Sequence, residues 1–456
     1  MSSLGLMKDF TRGNVGSQLL GFSLPFIGSN LLLVLYSTID MIIVGAFVGT
    51  YGLSAISQGS QIVNFATMVC LGFSNAGQVL IGQVLGAGKK QEINNIIGNL
   101  FSYVIFLSLF LAAIIISIHR WILHVVNMPV ESYEMAKQYL LICISGLPLT
   151  AGYNMVSAVL RGMGDGKRPL LFIGIASAVN LVLDLCFTGL LKWGVSGAAW
   201  ATILGQGVSF LFSILYLFKN RKQFGFDFKK KSFRFHVKYL GLITSLGTPM
   251  AIQSGCINVS MLFVNSLVNS IGVIESATFG IGARIDDIIN KISQGIQYAA
   301  VPMISQNLGA ENHDRAKKVV YWAWVISAIL TGVFIFIYLI FGEALFRLFS
   351  DDFQIHKMSR VFISGIICIF PALAIMRGSG AFIQGIGNVK LGMSLAILDG
   401  VILRIGLSWF FGIALKMNFF GLVLGYALAA YGYAIPSLIY FLSGKWQNRP
   451  SLAQSL

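Results

Sequence analysis

Two aspartates lie deep inside apolar runs. Asp40 falls within residues 31–47, LLLVLYSTIDMIIVGAF, and Asp184 within residues 176–187, ASAVNLVLDLCF. A carboxylate at the centre of a bilayer-spanning helix costs about 2.5–3.5 kcal/mol on insertion scales, so its presence points to a partner or a task. Asn180 precedes Asp184 by one turn and shares its helix face. Thr202, in AAWATILGQG, offers a hydroxyl at a similar nominal depth on the next apolar segment. Asp40, Asn180, Asp184 and Thr202 would give a set of oxygens able to hold a hard cation such as Na⁺, or to share protons between two coupled carboxylates. The duller reading is that Asp184 bonds Asn180 merely to hold helices together. Neither the first nor the fifth segment carries a basic residue at the depth of these acids, Arg168 lying at the very edge of the fifth, which favours the functional reading. Tyr36, one turn before Asp40, is read as a hydrogen-bond partner of Asp40 or, nearly as readily, as a lone interfacial or packing tyrosine, and is assigned with Asn154 to the substrate cavity.

The elements that must position these residues are set by composition. The chain has 456 residues, is 56% hydrophobic and only 11% charged, against roughly 25% charged in a soluble domain. Mean hydropathy is +0.78. This is the signature of an all-α polytopic membrane protein. Twelve apolar segments, each near the length that crosses the hydrocarbon, lie at about 17–48, 53–85, 94–118, 137–160, 168–190, 195–218, 239–268, 274–306, 318–342, 357–384, 392–414 and 419–443. The first carries Asp40 and no convincing cleavage site, so it is expected to remain as a span rather than be removed as a leader.

An even number of spans puts both termini on one side. The loops of that side hold roughly three times as many Lys and Arg as the opposite loops, which predicts cytoplasmic termini. The net charge of +15 is thus accounted for by topology, and no nucleic-acid partner is expected. The richest basic cluster, Lys219 to Lys238, reads as a cytoplasmic linker, with anionic lipid as a lesser partner for Lys229, Lys230 and Lys231. The predicted domains are 1–218, an N-terminal six-helix lobe; 219–238, the basic linker; and 239–456, a C-terminal six-helix lobe.

The lobes read as copies. Gly72, Gln83, Gly86 and Ala87 recur 223 residues later as Gly295, Gln306, Gly309 and Ala310. Pro148, Gly162, Gly164 and Lys167 recur at the same spacing as Pro371, Gly385, Gly387 and Lys390, and Pro25 matches Pro249 at 224. Six spans per copy keep the orientation, so a pseudo-two-fold axis along the membrane normal with a central cavity is predicted. The acids are confined to the first copy: Asp40 falls on Val264 and Asp184 on Leu407. The second copy has its own charges, Arg284, Asp286, Asp287 and Lys291 on the eighth span, Arg377 on the tenth, and Asp399 and Arg404 on the eleventh. Their signs alternate at short range, so salt-bridged structure or polar cavity lining is expected.

Several chemistries are excluded. Residues 162–165, GMGD, match a GxGD string of intramembrane aspartyl proteases, but Asp165 sits in the basic turn RGMGDGKRP and the copy has Asn388 there, a turn residue and no acid. A P-loop is absent and the histidines are scattered, so ATP-driven work by this chain alone is not expected. Cys70, Cys143, Cys186, Cys256 and Cys368 have no metal or redox spacing and read as buried spacers. No cofactor and no enzyme activity are predicted.

Asp40 followed by DMIIVGAFVG, the GQVLGAG and SQNLGAE pair, VLRGMGDGKRP with its copy, and NLVLDL together resemble the multidrug and toxic compound extrusion family over about residues 15–445. The resemblance implies two six-helix lobes around a cavity and export of small organic cations or amphipathic drugs by Na⁺ or H⁺ antiport. It also implies an ion site at Asp40, Asn180, Asp184 and Thr202, a polar neighbour at Asn154, a bend at Pro25, a monomer, and residence in the plasma (inner) membrane. The chain departs from a branch with acids on the seventh and tenth spans, since Cys256 and Ile257, and Met376 and Arg377, stand there. The alternatives are a lipid-linked oligosaccharide flippase, which would favour a strongly cationic cavity, and a membrane receptor or intramembrane enzyme, disfavoured by the matched halves.

Overall fold

A computed structural model describes residues 8–126 and 128–456, with residues 257–259 described by their backbone only; the Ile257 side chain therefore lies outside the described residues. Helices dominate, and no strand occurs among the described residues. The main helices are α1 (Val15–Phe47), α2 (Thr50–Gly86), α3 (Lys90–Val125), α4 (Val130–Ser145), α5 (Leu147–Gly162), α6 (Lys167–Asp184) and α7 (Gly194–Lys219). After the short α8 (Arg221–Phe224) come α9 (Val237–Asn269), α10 (Val273–Gly309), α11 (His313–Arg347), α12 (Phe353–Ile366) and α13 (Ile369–Gly385). The last are α14 (Val389–Ile397), α15 (Arg404–Trp409), α16 (Asn418–Ala429) and α17 (Tyr431–Leu442).

Backbone polar groups in hydrocarbon must be satisfied within the segment, which is why the apolar runs fold as helices. Among the described residues nine helical stretches are long and apolar enough to cross a bilayer. Two bent pairs add to them, α4 with α5 at 46° and α12 with α13 at 48°. The predicted segments 137–160 and 357–384 correspond to these broken spans. Each bend sits just ahead of a matched proline, Pro148 or Pro371, whose ring cannot continue the preceding turn. The remaining predicted segment, the eighth at 274–306, is α10; Arg284, Asp286, Asp287 and Lys291 make it less apolar than the others. The exposed side chains of the long helices are largely apolar, Ile42, Leu339 and Ile329 among them, as a lipid-facing surface requires.

The chain folds into two compact units. The first is built on Gly28–Ala251, and the second on Ile252–Ser455 together with Phe10–Ile27. The units thus follow the two halves of the repeat except at α1 and α9. Each of those helices changes unit just after its internal proline, Pro25 in α1 and Pro249 in α9. A proline removes one backbone bond and clashes with the preceding turn, which makes that position the natural point for a helix to redirect. The first core gathers Val44, Ile56, Leu140, Ile144 and Leu147. The second gathers Val264, Phe279, Phe346, Phe362, Phe370 and Leu422.

Residues 219–238 are not free chain. They lie along α3 in the first unit: Asn94 donates to Ser232 at 3.0 Å and accepts from the Asp227 amide at 3.1 Å. Asn99 accepts from the His236 amide at 2.8 Å, and the Ser102 hydroxyl donates to the Phe233 carbonyl at 2.8 Å. Asp227, in this strap, accepts from the Lys229 amide and the Ser232 hydroxyl, which hold its carboxyl below the usual carboxylate range. In the second unit residues 10–13 are held likewise. Arg315 donates to the carbonyls of Phe10, Arg12 and Gly13 at 2.7–2.8 Å.

Candidate functional site: a facing carboxylate pair in the first unit

α1, α6 and α7 bring the sequence-predicted acids together. Asp40 and Asp184 are 9% and 1% exposed, and their carboxyl groups face each other within side-chain hydrogen-bonding range. Among the described residues no Lys or Arg acts on either acid. Asn180, 3% exposed, turns its side chain toward Asp184. Even so, both Asp184 oxygens, Asp40 Oδ1 and Asn180 Nδ2 are buried without a hydrogen-bond partner. Buried polar atoms are normally paired, and an orphaned one costs about 1–3 kcal/mol. Two facing carboxylates with no base nearby require positive charge between them, as a proton or a metal cation. The orphaned oxygens therefore fit the cation that the sequence predicts.

Thr202 joins from α7. Its hydroxyl lies 3.4 Å from the Tyr36 hydroxyl. Tyr36 therefore pairs with Thr202 on α7 rather than with Asp40, the first of the two readings that the sequence allows. A small cleft is lined by Tyr36, Ser177, Asn180, Thr202 and Gln206. Asn154 is half-buried on α5, and among the described residues no hydrogen bond ties it to the acids.

Local backbone explains how α6 presents Asp184. Immediately after it, Leu185–Leu190 form a π-helical turn, an irregularity often found at functional positions. On α7, Gly205 allows close approach: a Cβ there would lie 2.9 Å from the Ala176 carbonyl and 3.1 Å from Asn180 Cβ. Gly205→Val should push α7 off α6 at the level of Asn180. A loss of about 1–3 kcal/mol is expected from such overpacking, read as a lower melting temperature of the purified protein.

Sequence reasoning missed three residues. Tyr139 and Cys143, one turn apart on α4, sit in the electrostatic field of Asp40. Gln206, one turn after Thr202, lines the cleft with Oε1 buried and unpaired. The four-residue spacing from Thr202 to Gln206 was the available signal; for Tyr139 and Cys143 none existed, because the rotation of α4 about its axis is a tertiary fact. The five cysteines are free, with Cys70 and Cys143 buried.

Elsewhere the expected roles divide. Asp165 accepts from the Arg168 amide at 3.2 Å and from the Tyr216 hydroxyl at 3.2 Å. Burial pushes its carboxyl up, with the Arg168 amide and charge opposing; this is a structural turn acid. On α10 the expected self-neutralised cluster is only partly formed. Asp287 pairs with Lys291 at 3.0 Å, but Arg284 is exposed with no ion pair among the described residues. Asp286 points the other way, where it accepts from the Tyr338 hydroxyl at 2.9 Å. Arg404 closes on Asp399 at 3.0 Å. Arg377 has no ion pair among the described residues, so of the two expected roles, salt-bridged structure or polar lining, it does not take the first, because α13 turns it toward the neutral amides of α10.

The MatE family model matches residues 25–186 and again 249–410. The chain belongs to the MatE family. The two matches are themselves displaced by the repeat spacing and begin at Pro25 and Pro249, so each half of this MatE chain matches the family model separately. It is similar to a "Probable multidrug resistance protein YpnP" of Bacillus subtilis (strain 168), 29% identical, with 96% of this chain and 97% of that protein covered. It is also similar to a "Probable multidrug resistance protein NorM" of Thermotoga maritima, 25% identical, with 96% and 95% covered. Among solved structures, a MATE in the straight conformation matches with a TM-score of 0.86 at 22% identity, covering 96% of each chain. That match shows the fold. The MatE chain is accordingly a multi-pass membrane transport protein and not an enzyme.

Proposed function

We propose that this MatE chain is a secondary multidrug exporter that exchanges Na⁺ or H⁺ for small organic, cationic or amphipathic compounds. The observation that carries the reading is the facing pair Asp40 and Asp184, buried, free of bases and left with orphaned oxygens. Asn180 and Thr202 add neutral oxygen donors, a mixture that suits Na⁺ as well as protons. Tyr36 and Asn154 belong to the substrate path in this reading. Loading the pair with an inward-moving cation would favour one facing state of the transporter and release the exported compound; a cation bound equally well in both states would shift nothing. The repeat supplies two six-helix lobes, 1–218 and 239–456, from one chain, so a monomer suffices. The excess of basic residues in the loops on the side of the two termini supports their cytoplasmic placement in a plasma-membrane protein.

The test is ethidium efflux from proteoliposomes with Na⁺ and pH gradients imposed separately. Efflux driven by one or both is expected. Equal efflux with no gradient would remove ion coupling from the account.

A further inference from the structure

Arg377 lies near the middle of α13 in the second unit, half-buried, and no acid stands within ion-pair distance of it among the described residues. Its Nη2 donates to Asn290 Oδ1 at 2.5 Å and, at 3.5 Å, to the Asn290 carbonyl. Its Nη1 donates to Gln297 Oε1 at 3.3 Å, and Nε is buried without a partner. Neutral amides accept hydrogen bonds but cancel no charge. An intramembrane cation of this kind marks a functional position by default.

The same unit shows what a structural arginine looks like. Arg404 reaches both oxygens of Asp399 at 3.0 and 3.3 Å and stacks 4.7 Å above the Tyr426 ring. Arg377 has no such counterpart. Around it, polar groups converge from several helices. Tyr298 and Tyr433 are its electrostatic neighbours, and Gln253 hydrogen-bonds Tyr433. Glycine keeps the place open: a Cβ on Gly380 would meet Gln297 Nε2 at 3.2 Å and the Tyr433 hydroxyl at 3.6 Å. The repeat sets Arg377 opposite Asn154, while Val264 and Leu407 replace Asp40 and Asp184. One copy has kept intramembrane acids without bases, and the other an arginine without an acid.

We propose that Arg377, with Asn290 and Gln297, forms an oxyanion subsite in the second unit that takes the carboxylate or phosphate of an amphipathic ligand. The guanidinium fork matches both groups, and the two amides hold it in place. This deepens the reading of the chain as an exporter and rests on it for the ligand's passage: exported compounds would include zwitterions and anions as well as cations. The oxyanion can belong to a solute or to a lipid headgroup.

The test compares rhodamine 110, which has a free carboxylate, with rhodamine 123, its methyl ester, by fluorescence anisotropy on the full chain in nanodiscs. No gradient is applied, so a failure of ion coupling leaves the result unaffected. Wild type is expected to bind the acid about tenfold tighter than the ester or better, the effect of a charge-assisted hydrogen bond. Arg377→Gln should erase that preference, Arg377→Lys should keep part of it, and a wild-type helical circular-dichroism spectrum in both is the check on folding. Nanodiscs of phosphatidylcholine alone and with phosphatidylglycerol separate the sources: loss of the preference only when phosphatidylglycerol is present assigns the subsite to a headgroup, and its persistence assigns it to a solute. Should neither dye bind, stabilisation by octyl phosphate in thermal melting, present in wild type and absent in Arg377→Gln, supports the same subsite. No preference in wild type, a preference that survives Arg377→Gln, or no stabilisation by octyl phosphate where the dyes fail overturns the proposal.

Discussion

Asp40→Asn should reduce gradient-driven ethidium efflux at least about 100-fold, to near the level of empty proteoliposomes. The amide has nearly the shape of the carboxylate and can donate to Asp184, whose two oxygens lack partners. The fold should therefore survive, and an orphaned pair should be relieved rather than created. What disappears is one of the two negative charges that require a cation. Driving a two-state equilibrium from one extreme to the other takes about 10⁴-fold differential affinity, and a single carboxylate beside a neutral amide has lost much of its source. Ethidium binding at equilibrium should remain. Asp184→Asn should behave alike, and the double substitution should add little, since both singles disable one unit of function. Efflux in Asp40→Asn equal to wild type under both gradients would take the pair out of the mechanism.

How much of this was readable beforehand follows from what a bilayer enforces. Span length and position were legible because hydrocarbon demands long uninterrupted apolar helices. The acids were legible because a charge in such a run stands out. Partner choice was not. Tyr36 and Asp40 are one turn apart in sequence, yet Tyr36 reaches Thr202 across the helix gap. Arg404 has Asp399 five residues before it and Arg377 has no acid on its own span, but only the fold shows that no other helix supplies Arg377 with one among the described residues. Nor could the repeat alone show that α1 and α9 each serve both units, because that depends on where a proline redirects the helix rather than on which half encodes it.

Asp399 and Arg404 illustrate the last point and carry the second large effect. They are five residues apart, a spacing that an ordinary α-helix places on different faces. Leu398–Leu403 form a π-helical turn, whose wider period brings position i+5 round to the face of i. The pair is 3% and 7% exposed, and Arg404 has no other acid partner among the described residues. Asp399→Leu should therefore destabilise the protein by about 3–5 kcal/mol, because it leaves a buried guanidinium uncompensated. Adding Arg404→Met should recover most of that loss, since two apolar side chains of similar volume cost far less than one stranded charge. Thermal melting of the purified single and double variants measures both. A double variant as unstable as the single would mean that Asp399 acts through the π-helical turn itself and not through its charge.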